Sequence, residues 1–470
     1  MRCLRAALLL LFPVSLFAQT DSAQLRRIAD EVLLRSRCYE DLRVLCKSVG
    51  NRLSGSPAAA TAVQWGEAAM RASGADRVWL QPVDVPRWVR GDEQLLLDFG
   101  AGLREVPVLS LGNSQGTDGK PLTGPVVMVS SFAEFDALPD AAVKGKVVFF
   151  NYAFRQDIVN TFEGYGDAGP YRWRGPNRAA ARGAKAVLIR SISTGLDDFP
   201  HTGSMRYADT VKPIPAMAIG NFTADKLQQT CLVRTAYAQL TSVCRMVDTV
   251  RSYNVVGEIR GSEKPDEIVV VGGHLDSWDV GEGAHDDGAG CVQSIEVLRA
   301  MKALGIRPKR TVRAVLFMNE ENGVRGGHAY ADSAIAKGEK HIFALESDAG
   351  GFSPRGFSVD VGESERAGTP QTSTVSAARG KRLSTSLGYA EQLRFLYLHD
   401  FEEGHGGTDI DPLRRSNPTV VLSGLSPDPQ RYFDLHHTAA DVFEQVNHRE
   451  LKLGAAAMAG LIWLVAEHGL

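Results

Sequence analysis

The stretch EIVVVGGHLDSWDVGEGAHDDGAGCVQSIEVLRAMKALG (267–305) decides the fold of this chain. Its first part, 267–273, is almost entirely apolar residues and glycine, which is typical of a buried strand. Its last part, 289–305, carries apolar residues at helical spacing and predicts an amphipathic helix. The segment TVRAVLFMN (311–319) follows as another strand. A strand, a helix and a strand in this order predict two parallel neighbours joined by a crossover helix.

Strands and helices continue to alternate towards the end of the chain. Further helices are predicted at 323–338 and 447–469, and further strands at 341–350 and 418–424. This alternation predicts an α/β fold with a mainly parallel mixed sheet flanked by helices. In such sheets, ligands bind beyond the carboxyl ends of the strands.

The middle of the chain has a different character. Short β-runs separated by glycine and proline fill much of 115–235, with one short predicted helix at 177–184. We therefore expect a second α/β module at 115–235, inserted into a host domain that consists of 19–114 and 236–470. The module shows no catalytic cluster, and its His201 stands alone.

Composition and charge exclude several classes of partner. The chain has 470 residues, 44% hydrophobic content and a net charge of −3, so we expect neither a nucleic acid nor an anionic membrane surface as a partner. Residues 1–18 carry two arginines, then an apolar stretch and a terminal Ala18, which is the layout of a secretory signal peptide. Because the apolar run is short for a membrane span, we predict a secreted or periplasmic protein without a stable membrane anchor.

The cysteines do not form a recognisable framework. Removal of the signal peptide would leave five of them, an odd number. Cys231 and Cys244 flank a stretch with strand-like alternation, which leaves a disulfide between them open. None of the cysteine spacings matches a structural zinc site.

Histidine and acidic side chains follow the ends of the predicted strands. They are His274, Asp276, Asp286, Asp287, Glu320, Glu321, Asp348, His436 and His437. Zinc binds imidazole nitrogen and carboxylate oxygen, and a pair of metal ions needs a carboxylate between them. Asp286 or Asp287 is the candidate bridge. The side chains of adjacent Glu320 and Glu321 diverge, so one can bind metal while the other faces a water molecule.

Each of these residues taken singly has a structural explanation. An aspartate before a helix is a common N-cap, and a histidine at a strand end is commonly a turn residue. Several of them at one sheet edge, where ligands bind, favour a metal site instead. Asp276 is placed to hold the ring of His274 in one tautomer. His285, His328 and His405 lack such spacing, and we interpret them as surface or pocket-lining residues.

The metal-site motifs occur together with RLSGSP (52–57), YNVVGEIRG (253–261) and HHTAAD (436–441). In this order they resemble the co-catalytic zinc peptidase family that includes secreted aminopeptidases and glutamate carboxypeptidases. The resemblance implies the zinc exopeptidase fold and two zinc ions per chain. It also implies that 115–235 is a protease-associated domain, and it suggests a homodimer.

The resemblance further implies which residues bind each metal ion. The ligands would be His274 with Asp348 for one zinc ion and Glu321 with His437 for the other, with Asp286 as the bridge. His437 is preferred to His436 because the family places the ligand directly before a Thr or Ser. The peptide bond between Asp286 and Asp287 would be cis.

The remaining roles implied by the resemblance concern the reaction. Glu320 would be the general base that takes a proton from the attacking water and returns it to the leaving amine. His436 stands where some members have a tyrosine, and it would donate to the tetrahedral oxyanion. Asp441 would orient His437.

These features predict a secreted dinuclear zinc exopeptidase that acts on short peptides or dipeptides. A carboxypeptidase needs cations for the substrate carboxylate, and an aminopeptidase needs a free acidic group near the metals. HGGTDIDPLRR (405–415) contains both kinds of residue, so both directions stay open. Two other hypotheses are a metal-free receptor on the same fold and a transferase or cyclase with a single zinc ion. The complete set of candidate ligands argues against both.

Overall fold

A computed structural model describes residues 12–362 and 373–470 of the chain. Of the predicted signal peptide, residues 1–11 lie outside the described residues. The helices of the described chain are α1 (Phe12–Arg35), α2 (Cys38–Val44), α3 (Pro57–Ala72), α4 (Phe132–Ala137), α5 (Asp140–Val143), α6 (Thr161–Trp173), α7 (Gly175–Ala181), α8 (Asn221–Val233), α9 (Ala289–Ala303), α10 (Glu320–Gly323), α11 (Arg325–Lys337), α12 (Ser373–Glu391), α13 (Tyr432–Leu435) and α14 (His448–His468). Its strands are β1 (Arg77–Val89), β2 (Glu93–Asp98), β3 (Leu103–Val106), β4 (Leu109–Ser110), β5 (Leu122–Val129), β6 (Val147–Phe150), β7 (Ala186–Arg190), β8 (Ala216–Ile219), β9 (Tyr237–Ser242), β10 (Arg245–Ile259), β11 (Lys264–His274), β12 (Arg310–Phe317), β13 (Lys340–Glu346), β14 (Pro354–Asp360), β15 (Asp400–Glu403) and β16 (Val421–Pro427).

The first sheet has eight strands in the order β1-β10-β12-β11-β13-β16-β14-β15. β12, β11, β13 and β16 run parallel at its centre, whereas β1, β10 and β14 add antiparallel pairings towards the edges. The register sets His274 of β11 beside Phe317 of β12, and Gly272 of β11 beside Glu346 of β13. These three strands therefore end at one edge of the sheet. The predicted α/β fold with a mixed sheet is confirmed.

Helices cover both faces of this sheet. α1, α2, α3, α9 and α14 pack on one face, in a core that includes Leu42, Leu298 and Leu461. α11 packs on the other face, around Val270 and Tyr330. Burial on both sides explains why residues 268–273 of β11 are all apolar or glycine and why β12 is mainly apolar.

The helix α14 is long and apolar enough to cross a membrane, judged by length and composition, and it is the one such helix in the described chain. In the structure, 78% of its apolar window is buried inside the protein. It packs against α1 and α9, which makes it a core helix of the host domain.

The second sheet lies between β1 and β10 in the sequence and has the order β3-β2-β9-β5-β6-β7-β8-β4. Its strands span 93–242, and we call this part of the chain the insert. The predicted boundaries, 115 and 235, fall inside this sheet. The reason is that β2 and β9 pair antiparallel and bury Leu95 and Leu240 in one core, so the segments flanking 115–235 belong to the same sheet.

The insert contains four helices, α4, α5, α6 and α8, that were not predicted from the sequence. α6 includes Gly164, Gly169 and Pro170, residue types that disfavour a helix. Ala168 and Tyr171 on the same helix are buried. Tertiary packing therefore stabilises α6 despite its low intrinsic helix propensity.

The five cysteines that the structure describes are free thiols. Cys231 lies on α8, and Cys244 is buried with its Sγ 3.5 Å from the main-chain oxygen of Ser114. The disulfide that the sequence left open between Cys231 and Cys244 is therefore absent.

His341, at the start of β13, is fully buried. Its Nε2 lies 2.9 Å from the hydroxyl of Tyr330. Burial, together with the nearby charge of Arg313, lowers the pKa of His341 to about 4. The folded protein therefore keeps this ring neutral at pH values where an exposed histidine binds a proton.

We expect His341 to contribute to acid destabilisation. In the unfolded chain its pKa is about 6.5, so unfolding takes up a proton between pH 6.5 and 4, and the free energy of unfolding falls as the pH decreases through that window. His341→Gln should make this fall shallower, by up to about 1.4 kcal/mol per pH unit. Urea unfolding in the presence of a metal chelator, at steps from pH 6.5 to 4.5, measures the slope. The exposed His328→Gln is the control, and equal slopes in His341→Gln and the unsubstituted protein would contradict the expectation.

Candidate active site

Candidate residues from three neighbouring strands meet where those strands end. His274 is the last residue of β11, Glu320 follows β12 and Asp348 follows β13. The loop after α13 brings His436 and His437 over the same edge. Because the strands are parallel and in register, residues distant in sequence come together here.

Asp286 lies between two histidines. Its Oδ1 is 3.1 Å from His274 Nε2, and its Oδ2 is 3.3 Å from His437 Nε2. Each histidine also faces a second carboxylate. Asp348 Oδ1 is 3.2 Å from His274 Nε2, and Glu321 Oε2 is 3.1 Å from His437 Nε2. The structure thus brings all five predicted ligands together, in two groups that share Asp286.

This arrangement fits metal ions. Asp286 Oδ2 and Glu321 Oε1 are buried and accept no hydrogen bond. Burial raises the pKa of Glu320 to about 8, and it also raises the pKa of Glu321 and Asp348, with the charge of Asp286 adding to the effect in each case. Carboxyl groups crowded in this way repel one another, and divalent cations offset that repulsion.

Asp287 is positioned differently from Asp286. Its Oδ2 accepts the N–H of His274 at 3.0 Å, and its Oδ1 accepts the N–H of Gly290 at 2.9 Å. The bond to Gly290 satisfies an N–H of the first turn of α9, which is the capping role considered for one of the pair, and the bond to His274 ties Asp287 to the end of β11. Asp286 is left as the candidate bridge. The peptide bond between Asp286 and Asp287 is cis, as expected.

A main-chain oxygen orients His274, in place of the predicted carboxylate. His274 Nδ1 lies 2.9 Å from the main-chain oxygen of Asp276. The Asp276 carboxylate instead accepts the N–H groups of Asn319 at 2.6 Å and Glu320 at 3.1 Å. The prediction that the Asp276 side chain orients His274 is therefore wrong. The carboxylate instead fixes the loop that carries Glu320.

Asp441 also acts on a different residue from the one predicted. Its two carboxylate oxygens accept the N–H of His285 at 2.8 Å and the N–H of Asp286 at 3.1 Å. It therefore orients Asp286, and the expected contact with His437 is absent. His437 Nδ1 lies instead 3.2 Å from the main-chain oxygen of Thr202, which belongs to the insert.

The three histidines that lacked metal-site spacing lie outside the two groups of ligands. His328 and His405 are exposed, as predicted. His285 is buried, which corrects its interpretation as a surface or pocket-lining residue. Its ring stacks on Phe352 with centroids 4.2 Å apart, and its Nδ1 accepts the N–H of Gly351 at 3.0 Å.

The segment RLSGSP (52–57) fastens two of the loops at the site. Arg52 is fully buried. Its guanidinium donates at 2.6 to 2.8 Å to the main-chain oxygens of Leu275, Glu282 and Gly283. Ser54 accepts the side-chain N–H of Asn319 at 2.6 Å. The motif therefore holds the loop that leads to Asp286 and the end of β12.

The insert contacts the loop that carries the last two histidines. Thr202 N–H donates to the carbonyl of His437 at 3.1 Å, and His201 Nδ1 lies 2.7 Å from the carbonyl of His436. Arg172 of α6 donates to the carbonyl of Thr202 at 3.3 Å, and its Nη1 lies 3.4 Å from His437 Nδ1. Sequence reasoning regarded His201 as isolated and missed Thr202 and Arg172. The residues of the insert are 235 or more positions from the histidines that they contact, so no local pattern indicates these contacts.

A cavity of about 740 Å³ opens over the two groups of ligands, with walls from both the host domain and the insert. The acidic residues among its described lining are Asp286, Glu320, Glu321 and Asp348. The arginines among its described lining are Arg172, Arg206 and Arg325. All four acids belong to the candidate ligands or are the candidate base.

The segment 405–415, which contains both acidic and basic residues, contributes only Thr408 to the described lining of this cavity. Its arginines are engaged elsewhere: Arg414 pairs with Asp360 at 2.7 Å, and Arg415 pairs with Asp332 at 2.9 Å. The charged residues of 405–415, which could have recognised either end of a peptide, therefore lie outside the described lining of the cavity.

Comparison with known proteins identifies the family. The model of "Peptidase family M28" matches residues 254–462. Carboxypeptidase Q of Xenopus laevis is 34% identical over 439 residues, which cover 92% of this chain and 86% of that protein. The chain belongs to peptidase family M28, and the fold, the paired ligand groups and the relatives define it as a zinc-dependent metallo-exopeptidase. Within that family it is similar to carboxypeptidase Q, and the resemblance to a zinc peptidase family is confirmed.

Solved structures agree with this assignment. The structure of a peptidase M28 precursor from Shewanella amazonensis SB2B superposes with a TM-score of 0.87 at 30% identity, covering 96% of this chain and 98% of that one. A zinc aminopeptidase from Bacillus subtilis has a TM-score of 0.62 at 19% identity, with 92% and 95% covered, and shares the fold. Two zinc ions per chain are consistent with the two groups of ligands that share Asp286.

We expect Arg52 to control metal affinity through the loop that it holds. Arg52→Lys keeps the charge but cannot reach three carbonyls at once, so the loop before Asp286 loosens. Loss of such indirect support should weaken zinc binding by about 10-fold to 100-fold. Zinc titration against a competing chelator measures the affinity. Arg251→Lys, at an exposed ion pair with Asp84, is the control. Equal affinities in Arg52→Lys and the unsubstituted protein would show that the loop keeps its position without Arg52.

Proposed function

We propose that this chain removes residues from the carboxyl end of short peptides, including dipeptides. The observation that carries the proposal is the charge of the cavity lining. Arg172, Arg206 and Arg325 line it, and among the described lining residues no acidic group remains beyond the candidate ligands and base. The carboxypeptidase Q relatives support the same direction by their name.

The two free ends of a peptide carry opposite charges. A free amino terminus is a cation, so an aminopeptidase needs a carboxylate that is not already bound to metal. A free carboxyl terminus is an anion, and arginine binds carboxylates through paired hydrogen bonds. Arg206 and Arg325 are exposed, and they have no ion pair within the described chain. They are therefore free to bind a terminal carboxylate, and a cavity of about 740 Å³ suits a short peptide.

The assignment of metal ligands follows the two groups in the structure. His274 and Asp348 would hold one zinc ion, Glu321 and His437 would hold the other, and Asp286 would hold both. Bound zinc lowers the pKa of water and polarises a carbonyl group. The protein's own contribution is to fix these side chains.

Glu320 is the proposed general base. It lines the cavity next to the ligand Glu321, and the N–H of Glu320 is fixed by the carboxylate of Asp276. Burial raises the pKa of Glu320 to about 8, close to neutral pH, which suits a group that takes up a proton and returns it. Glu320 would take the proton of the attacking water and pass it to the leaving amine.

His436 is the proposed donor to the tetrahedral oxyanion. Its ring stacks on His437 with centroids 3.5 Å apart, and its Nε2 lies 3.7 Å from Asp286 Oδ2. Burial lowers the pKa of His436, so the ring is neutral and carries a single N–H. A neutral ring can donate that N–H to an oxyanion without adding a charge to the centre.

Three further proposals concern the whole protein. We assign the insert, 93–242, as a protease-associated domain on the resemblance of its sequence and its position between β1 and β10. The N-terminal sequence supports export to a secreted or periplasmic location, without a stable membrane anchor. A homodimer rests on the resemblance alone.

The direction of cleavage is tested with one unblocked tripeptide of three different residues. We expect early release of the C-terminal residue by zinc-loaded enzyme, detected by mass spectrometry, and a drop of about 100-fold in kcat/KM for the same peptide with an amidated C-terminus, because the amide lacks the charge that arginine binds. Glu320→Gln should bind two zinc ions per chain by elemental analysis and lose about 1,000-fold in kcat. Early release of the N-terminal residue would make the enzyme an aminopeptidase.

The role of His436 is tested by His436→Ala. Loss of one oxyanion donor should lower kcat by about 100-fold and leave KM nearly unchanged, since the interaction exists only in the transition state. Steady-state kinetics on the substrate found with the tripeptide gives both constants. An unchanged kcat would remove His436 from the reaction. Zinc content checks that the neighbouring His437 still binds its metal.

A further inference from the structure

Arg172 of α6 is a buried cation without an acidic partner. Its residue is 5% exposed, and no carboxylate of the described chain forms an ion pair with it. Its Nε is buried and has no hydrogen-bond partner. A buried charge is costly unless it is paired, so this guanidinium points to an anion that forms in the cavity it lines.

The surroundings of Arg172 hold the guanidinium in one place. Nη1 donates to the carbonyl of Thr202 at 3.3 Å, and Nη2 donates to the hydroxyl of Tyr165 through a short hydrogen bond. Gly203, at φ 137°, leaves the space that the guanidinium fills, because a Cβ there would lie 2.4 Å from Arg172 Cζ. These contacts therefore fix the position of Arg172 in the cavity wall.

Tyr165 is the side chain that Arg172 reaches on the cavity side. Its ring stacks on Phe433 at 4.8 Å and meets His436 edge-on at 5.2 Å. It lines the cavity, and burial and the charges of Glu320 and Asp286 raise its pKa, so its hydroxyl keeps its proton near the candidate ligands. Since this oxygen already accepts from Arg172, its own proton is free to be donated.

We propose that Tyr165 of the insert is a catalytic residue that donates its hydroxyl proton in a hydrogen bond to the oxyanion of the tetrahedral intermediate, and that Arg172 is the positioning residue that holds this hydroxyl. The inference deepens the proposed function and rests on it. Tyr165 lies on the same side of the cavity as His436, so the two would act on the same developing charge.

The geometry separates this role from binding of the terminal carboxylate. Arg172 lies beside His437 Nδ1, on the opposite side of that ring from the Nε2 that faces Glu321 and Asp286. Arg172 lines the cavity, and its Nη2 is bonded there to the hydroxyl of Tyr165. The exposed Arg206 and Arg325 remain for the terminal carboxylate. A fixed hydroxyl polarised by a buried cation stabilises negative charge without reorganisation, which is what a transition state requires.

The first experiment compares Tyr165→Phe with Tyr152→Phe in the zinc-loaded enzyme. Tyr152 is also a tyrosine of the insert, it stacks on Tyr171, and it is absent from the cavity lining. We expect Tyr165→Phe to lower kcat by about 100-fold, to change KM less than threefold and to retain both zinc ions, while Tyr152→Phe stays at the unsubstituted rate. An unchanged kcat in Tyr165→Phe would overturn the proposal. A raised KM with unchanged kcat would also overturn it, because it would place Tyr165 in ground-state binding.

A second readout does not depend on turnover. A phosphinic peptide, in which a tetrahedral phosphinate replaces the scissile amide, mimics the intermediate, whereas the product peptide does not. Calorimetry should show that Tyr165→Phe weakens phosphinate binding by the same factor as kcat/KM and leaves product binding unchanged. Equal weakening of both ligands would contradict the proposal. If the unsubstituted enzyme cleaves no peptide, it is the proposed function that fails, whereas phosphinate binding still tests Tyr165.

The positioning role of Arg172 is tested by a double-variant cycle. Arg172→Lys keeps the charge but loses the simultaneous bonds to Tyr165 and Thr202. If Arg172 acts through the Tyr165 hydroxyl, Arg172→Lys lowers kcat, and the double variant Arg172→Lys with Tyr165→Phe is no slower than Tyr165→Phe alone. Multiplied losses in the double variant would show that Arg172 acts independently and would overturn its assignment. Should Arg172→Lys fail to fold, Tyr165→Phe still decides the catalytic part.

Discussion

The carboxylate of Asp286, with one oxygen 3.1 Å from His274 and the other 3.3 Å from His437, is the contact on which the remaining structure of the site depends. It is buried, and one of its oxygens accepts no hydrogen bond. Such a group stays in place only when its backbone is held firmly and a cation can reach it. Asp441 holds its N–H, and Arg52 holds the loop before it. Asp441 and Arg52 are themselves buried charged residues, and each holds the backbone around Asp286 by binding main-chain atoms.

Much of the host domain could be predicted because its elements have strong local signals. The second half of β11 is continuously apolar or glycine, β12 is mainly apolar, and α9 has clear helical spacing, so their order and direction follow from the sequence. The sheet edge at which the candidate residues meet could be predicted for the same reason, since parallel strands in register deliver the residues after them to one edge. The placement of His274, Glu320 and Asp348 at this edge follows from that rule without knowledge of other tertiary contacts. The choice of five ligands among adjacent candidates, such as His437 over His436, came from the family resemblance.

The parts that sequence reasoning missed depend on long-range contacts or on the main chain. α6 contains glycine and proline and is stabilised by packing, so its intrinsic propensity argued against a helix and its Tyr165 and Arg172 went unnoticed. Asp276 and Asp441 were correctly predicted to support the site, but the groups that their carboxylates contact were predicted wrongly. The pattern shows that a carboxylate is nearby, whereas the structure shows that both carboxylates bind backbone N–H groups. The boundaries of the insert moved for a related reason, because β2 and β9 become one sheet only through their mutual pairing.

The contact between Thr202 and His437 couples two parts of the chain thermodynamically. Thr202 donates to the carbonyl of His437, and its own carbonyl lies 3.2 Å from the imidazole, so a candidate ligand supplied by the host domain is aligned by the insert. This coupling is reciprocal. If docking of the insert makes metal binding more favourable by a certain free energy, metal binding makes docking of the insert more favourable by the same amount. Bound metal would therefore favour docking of the insert on the host domain, in a chain whose described cysteines form no disulfide between the two.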